Sequence, residues 1–108
     1  MTAYQKNNYT AVISHSNNAG LSEKDSLLTG IFFLKTDQPS LAIHWLSPLT
    51  DHGRFSEEAA FYLSLSYLKD FKFIDAYSIM QQIHSDPLNA YHAQFPDEYL
   101  KKVKELER

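Results

Sequence analysis

The sequence predicts an all-α fold of about six short helices joined by turns. Three observations favour this class: apolar residues recur at helical spacing, no stretch alternates strictly as a strand would, and helix breakers are few. Only three glycines and four prolines occur in 108 residues, and they fall mainly between the periodic stretches. A chain of this length suits one domain with a single modest core, so residues 1–108 are predicted to form one domain.

Two helices are predicted in the first third of the chain. A weak helical pattern covers residues 4–15 and is followed by a polar stretch rich in Asn and Gly. A stronger pattern covers residues 22–36. Ser22 is its expected N-cap, and Asp25, three residues later, completes a pattern close to a capping box.

Prolines delimit the next helix, and a serine is expected to start the one after it. Pro39 suits the first helical turn, where a missing N–H costs no internal hydrogen bond, and Pro48 should end or kink the same helix. Residues 59–68 are apolar on two sides, which is typical of a helix packed between neighbours. Ser56 is the expected N-cap of that helix.

Two further helices complete the chain. Residues 70–85 carry an amphipathic stripe that Asp86 and Pro87 close, and Pro96 opens the last helix. The outer face of this last helix is charged. Its residues predicted to face inward are Tyr99, Leu100, Val103 and Leu106.

The sequence also repeats itself at an offset of 34 positions, which we call the repeat offset. Small residues recur at this offset, and they would let two antiparallel helices approach closely while large residues fill the gaps beside them. The small pairs are Gly30 with Ser64 and Ala42 with Ala76. The other pairs are Phe33 with Tyr67, Leu34 with Leu68, Lys35 with Lys69, Leu46 with Met80, and Leu49 with Ile83. The repeat predicts two successive helix–turn–helix units.

With this period and these residues the chain resembles the tetratricopeptide repeat (TPR) family, whose unit reads W-x2-L-G-x2-Y, then A-x3-F, then P. Both units carry the small and large positions in order. The first reads Ser26-x2-Thr29-Gly30-x2-Phe33, then Ala42-x3-Leu46. The second reads Ala60-x2-Leu63-Ser64-x2-Tyr67, then Ala76-x3-Met80, then Pro87. The sequence departs from the family at Phe71, where a turn glycine is usual.

The resemblance implies a TPR-like helical solenoid of antiparallel helix pairs, with about two full repeats. Its parts would be a partial repeat helix at 1–20, a first repeat at 21–53, a second at 54–87 and a capping helix at 88–108. An array that begins in mid-repeat is expected to belong to a longer protein, with a natural short form as the alternative.

In TPR arrays the first helices of successive units line a concave groove that receives peptides or extended segments. The resemblance places the partner-binding residues at Leu27, Ile31, Lys35, Phe61, Tyr62, Leu65 and Lys69. The family's polar clamp for a terminal carboxylate needs Asn where Ile31 and Leu65 stand, so that ligand class is disfavoured. The expected groove is mostly apolar, and its two lysines would orient an acidic partner.

No catalytic residue, metal site or cofactor is predicted. The chain has no cysteine, which excludes thiolate ligands and a cysteine nucleophile. Its five histidines lack metal-ligand spacing, and its paired carboxylates fall in first helical turns, where the helix dipole explains them. The chain is therefore predicted not to be an enzyme. Catalysis by His44 or His84 is the weakest alternative.

Composition also limits the partners. The formal net charge of −3 and a lysine stretch that glutamates interrupt disfavour nucleic-acid binding. No apolar run approaches the roughly 20 residues of a membrane span, so no membrane contact is expected from this segment. The compartment stays open between cytoplasm and periplasm.

The sequence thus favours a non-catalytic protein–protein interaction module that binds a peptide or helix segment in a concave groove. Two alternatives remain. The chain could be a structural segment of a larger repeat array, or its groove could be covered by its own residues or by a second copy, making a homodimer.

Overall fold

The structure, a computed structural model, describes residues 22–51 and 53–106. It contains five α-helices, which are α1 (Glu23–Lys35), α2 (Pro39–Leu46), α3 (Ser56–Lys69), α4 (Phe73–Ser85) and α5 (Asp97–Leu106). Single 3₁₀ turns occupy Ser47–Leu49 and His92–Gln94. The all-α prediction is confirmed for these ranges, which hold no strand. The helix predicted over 4–15 lies outside the described residues.

The helices pack in chain order. Helices α1 and α2 form a first hairpin and α3 and α4 a second, each joined by a three-residue turn. Helix α2 packs on α3, and α4 packs on α5. None of the helices in the described ranges is both long enough and apolar enough to cross a lipid bilayer.

Two buried clusters form the core, one after the other along the chain. The first consists of Leu27, Leu34, Ala42, Leu46, Ala59 and Leu63. The second consists of Ala76, Met80, Ile83, Phe95, Leu100 and Val103. Leu65, Tyr67 and Ile79 pack against both clusters, so the second hairpin connects them.

The helix starts agree with the sequence in two cases and differ in two. The Ser22 hydroxyl accepts a hydrogen bond from the Asp25 amide at 3.1 Å, and Pro39 opens α2, as predicted. The prediction for Ser56 was wrong: it is the first residue of α3, and Phe55 precedes it without a side-chain cap. Helix α4 begins at Phe73 rather than at residue 70, because residues 70–72 form the turn after α3.

Helices α1 and α3 end in the same backbone turn, at places related by the repeat offset. Asp37 and Phe71 occupy equivalent positions with φ of 63° and 61°. The amide of each donates to the carbonyl three residues earlier, at 3.3 and 3.1 Å. The next amide donates to the carbonyl five residues earlier, at 2.8 Å in both turns. This pair of hydrogen bonds is a Schellman motif, which places a residue with left-handed backbone conformation just after the helix. In the second hairpin Phe71 adopts that conformation at the position where glycine is usual.

Phe71→Gly is expected to raise the free energy of unfolding by about 1 kcal/mol, the approximate cost of a left-handed conformation for a residue with a Cβ. The Phe71 side chain is 79% exposed, so little packing is lost. Urea unfolding measures the change, and Asp37→Gly is the matched control with a smaller gain, because Asp tolerates this conformation better. A destabilised Phe71→Gly variant would show that the exposed ring stabilises the fold.

The two helices of the first hairpin approach each other closely at Gly30. A Cβ built on Gly30 would stand 2.5 Å from the Cγ and Cδ2 atoms of Leu46, which is fully buried. In the second hairpin Ser64 and Met80 take these places, and both are fully buried. The small residues that repeat in the sequence therefore lie in the buried interior of their hairpins.

The C-terminal helix covers the end of the second cluster. Leu100 and Val103 are buried, Tyr99 is half-buried, and Lys101 is exposed, as predicted. Leu106 is predicted to face inward, but it is 51% exposed, since α5 ends there and no helix packs beyond it in the described ranges.

Candidate functional site

The predicted groove residues lie on α1 and α3, the first helices of the two hairpins. Ile31 and Leu65 occupy equivalent places and are half-buried against the core. Lys35 and Lys69 follow each of them by one turn and are exposed. These four residues recur at equivalent positions of the two hairpins with the same burial, and we call them the paired face.

Leu27 contributes little to such a surface. Its side chain is 7% exposed and belongs to the first buried cluster. Leu27 faces the core because it lies on the same side of α1 as Gly30 and Leu34, which are also buried. Tyr62 is half-buried and packs against the first cluster.

Phe61 is covered by residues from the segment before α5. Its ring stacks on that of Tyr91 with centroids 4.4 Å apart and an interplanar angle of 12°. The ring centroids of Phe95 and Phe61 are 5.6 Å apart, and Phe95 is only 2% exposed. Phe95 in turn contacts Tyr99 at 5.3 Å. This aromatic cover, defined by Tyr91, Phe95 and Tyr99, therefore occupies the place where an open groove floor was expected.

Hydrogen bonds to side chains hold the segment that carries the cover. Glu57 Oε1 accepts from the Ala90 amide at 2.9 Å and so links residues 33 apart in the chain. Asn89 Oδ1 accepts from the Tyr91 amide at 2.8 Å, and Asp86 Oδ1 accepts from the Leu88 amide at 3.0 Å. The sequence predicts only a helix-dipole role for Glu57, because no local pattern indicates so distant a partner.

Both tyrosines of the aromatic cover have a raised pKa. Burial, with a further contribution from the nearby carboxylate of Glu58, raises the pKa of Tyr91 above its ordinary value of 10.0. Burial also raises the pKa of Tyr99. A raised pKa means that the folded chain binds the phenol proton more tightly than the unfolded chain does. The stability that the two tyrosines contribute in this way is therefore fully present below pH 10.0 and is lost as the pH rises above that value.

The two lysines of the paired face differ in their surroundings. Lys69 Nζ lies 3.2 Å from Asp37 Oδ1, an ion pair whose side chains are 48% and 82% exposed. Lys35 makes no such pair with the described residues. An exposed ion pair contributes about 0–1 kcal/mol, so the pairing of Lys69 with Asp37 adds little to the stability of the fold.

Two of the described histidines, His84 and His92, lie side by side next to the start of α5. His84 Nε2 lies 2.9 Å from Asp97 Oδ1, and its ring stacks on that of His92 with centroids 5.8 Å apart. Residues 22–51 and 53–106 contain no group of three or more His, Cys, Asp or Glu side chains placed to hold a metal ion. His44 contacts Trp45 edge to face. His84 thus joins α4 to the start of α5.

Comparison with known protein families, with curated proteins and with solved structures gave no match.

Proposed function

We propose that this chain is a non-catalytic protein interaction module of the TPR type, which binds a peptide or helix segment of another protein. The observation that carries the proposal is the paired face. In both hairpins a half-buried aliphatic residue, Ile31 or Leu65, precedes an exposed lysine by one helical turn. A surface that repeats along the chain suits an extended or helical ligand that runs across both hairpins.

Three features support the TPR-like part of the proposal. The Schellman turns recur at the repeat offset, the buried small residues recur with them, and successive helices pack in chain order. A stack of this kind buries its core between neighbouring units and leaves one face of the first helices for ligands.

The paired face sets the chemistry of the ligand. Ile31 and Leu65 would contact apolar side chains, while Lys35 and Lys69 would pair with carboxylates one turn away. Because the aromatic cover already occupies Phe61, the ligand would meet a shorter apolar surface than the sequence suggests. The preferred ligand is therefore an acidic segment with a few large apolar residues.

Lys35→Glu combined with Lys69→Glu is expected to weaken binding at least about tenfold, because like charges would face each other across the interface. The ligand is a peptide selected on the wild-type chain from a displayed library of random peptides and then synthesised. Titration calorimetry measures its affinity. The free energy of unfolding should change by no more than about 1 kcal/mol, since both lysines are exposed.

The matched control is Lys101→Glu with Lys102→Glu, which makes the same change of charge on the exposed face of α5. This control variant should bind the selected peptide with little loss. If both double variants weakened binding equally, the effect would come from the net charge of the chain and not from the paired face. If Lys35→Glu with Lys69→Glu left the affinity unchanged, the binding site would lie elsewhere.

Self-association or incorporation into a larger array is the second candidate. It is favoured by two exposed apolar side chains. Phe71, in the turn between α3 and α4, is 79% exposed, and Ile74, in the first turn of α4, is 67% exposed. Light scattering over a range of concentrations separates the two functions. A mass that rises with concentration in the wild-type chain, but not in Phe71→Ser with Ile74→Ser, supports self-association.

A further inference from the structure

A pair of stacked imidazole rings joins the segment before α5 to helix α4. The rings of His84, near the end of α4, and His92, in the second 3₁₀ turn, have centroids 5.8 Å apart and an interplanar angle of 22°. His84 Nε2 also lies 2.9 Å from Asp97 Oδ1 at the start of α5. Tyr91, which stacks on Phe61, directly precedes His92. This histidine stack, defined by His84 and His92, is therefore next to the aromatic cover in the chain.

Each ring of the histidine stack has a buried nitrogen with no hydrogen-bond partner among the described residues. The two atoms are His84 Nδ1 and His92 Nδ1. In a neutral imidazole such a nitrogen is a bare acceptor, with the proton on Nε2. A charged imidazole carries a proton on both nitrogens, so each Nδ1 would become a buried donor without an acceptor, which is costly. The stack therefore suits rings that are not both charged.

The charges around the histidine stack compensate one proton better than two. Asp97 pairs with His84, whereas no ion pair within the described ranges includes His92. The other carboxylates near this segment belong to α3 and to the end of α4, and they are Glu57, Glu58 and Asp86. None of these three forms an ion pair with either ring. Two positive charges on rings 5.8 Å apart would thus repel each other with only one direct carboxylate partner between them.

We propose that the histidine stack is a pH-sensitive latch, which holds the aromatic cover over Phe61 near neutral pH and releases it in acid. Histidine ordinarily becomes charged as the pH falls from about 8 to about 5, so acid brings positive charge to both rings and opposes their stacking. The segment between Ser85 and Asp97 contains no α-helix, and its contacts to α3 and α4 hold it in place.

Helix α5 stays in place when the latch opens. Phe95, just before α5, is buried in the second cluster. The bond from His84 to Asp97 becomes stronger in acid, because a charged imidazole donates more strongly to a carboxylate. The opening is therefore confined to residues 87–94, which carry Tyr91 and His92.

Release of Tyr91 would enlarge the apolar surface beside the paired face. Phe61 precedes Leu65 by one helical turn on α3. With its ring uncovered, Phe61 would become available to an apolar side chain of a ligand, so acid is expected to increase the affinity for such a ligand. This consequence rests on the proposed function, whereas the opening belongs to the chain alone and is measured without a ligand.

Nuclear magnetic resonance tests the latch through the contact between the Phe61 and Tyr91 rings. Their cross-relaxation signal is expected in the wild-type chain at about pH 8 and should be lost at about pH 5, the range over which histidine gains its charge. His92→Phe keeps an aromatic ring in the stack but cannot be charged, so it should retain the signal at both values. The matched control is His44→Gln, which removes a histidine exposed on α2 and should lose the signal as the wild type does.

Two results from this experiment would overturn the proposal. A wild-type signal that persists in acid would show that the histidine stack does not release the cover. An equal loss of signal in the wild type and in His92→Phe would show that another group carries the pH response.

A second measurement separates the latch from general acid unfolding. Trp45 is the only tryptophan and lies in the first hairpin, so its emission should stay constant while the contact between Phe61 and Tyr91 is lost. A change in Trp45 emission that accompanies this loss would overturn the proposal. If the cover opened but the affinity for the selected peptide did not rise, the latch would stand and the binding role of this face would be contradicted.

Discussion

Phe95→Ala is expected to lower the free energy of unfolding by about 3–5 kcal/mol, the range for truncating a buried aromatic side chain. Phe95 is 2% exposed, belongs to the second cluster and contacts the rings of Phe61 and Tyr99. A cavity at this place removes contacts from both α3 and α5. Urea unfolding measures the loss, and amide exchange should show α5 losing protection before the first hairpin does.

The control for this variant is Phe71→Ala, which removes the same side chain from a site that is 79% exposed. Its effect should stay within about 0.5 kcal/mol, as is usual for surface positions. Similar losses of unfolding free energy in the two variants would mean that the aromatic cover does not depend on buried packing. If the amides of α5 stayed protected from exchange in Phe95→Ala, other contacts would hold α5.

Gly30→Val is expected to lower the free energy of unfolding by about 1–3 kcal/mol, the usual cost of overpacking a core. The new Cβ would meet Leu46 at 2.5 Å, and Leu46 is fully buried, so either the leucine or the helix backbone must shift. The helix itself gains little, because valine and glycine are both weak helix formers. Thermal or urea unfolding gives the size of the loss.

Ser64→Ala is the matched comparison for Gly30→Val, since Ser64 occupies the equivalent place and already carries a Cβ. It removes only a hydroxyl that donates to the Phe61 carbonyl within the same helix, at 2.6 Å. A loss below about 1 kcal/mol is expected from such a bond. If Gly30→Val cost no more than Ser64→Ala, the two helices of the first hairpin would be able to move apart freely.

Features that depend on local spacing could be predicted from the sequence. The repeat offset indicated which small residues would be buried, and Gly30, Ser64, Ala42 and Ala76 are all buried. The proline positions indicated where α2 begins and ends. These predictions succeed because helix spacing and capping are decided within a few neighbouring residues.

Features that depend on distant residues could not be predicted in this way. Nothing around Phe61 indicates that Tyr91, thirty positions later, would stack on it. The capping unit was predicted over 88–108 with Pro96 opening its helix, and α5 begins at Asp97, but no local pattern indicates that Glu57 holds the segment before that helix. The cover of Phe61 likewise comes from Tyr91 and Phe95, which are distant from it in the chain.

The chain-order packing of the helices also bears on how the molecule assembles. Since each helix contacts mainly the one before and the one after it, the segments that must meet are close in sequence, and little loop entropy is lost before contacts form. Folding should then be rapid, on the microsecond to millisecond scale of helical proteins with local topology.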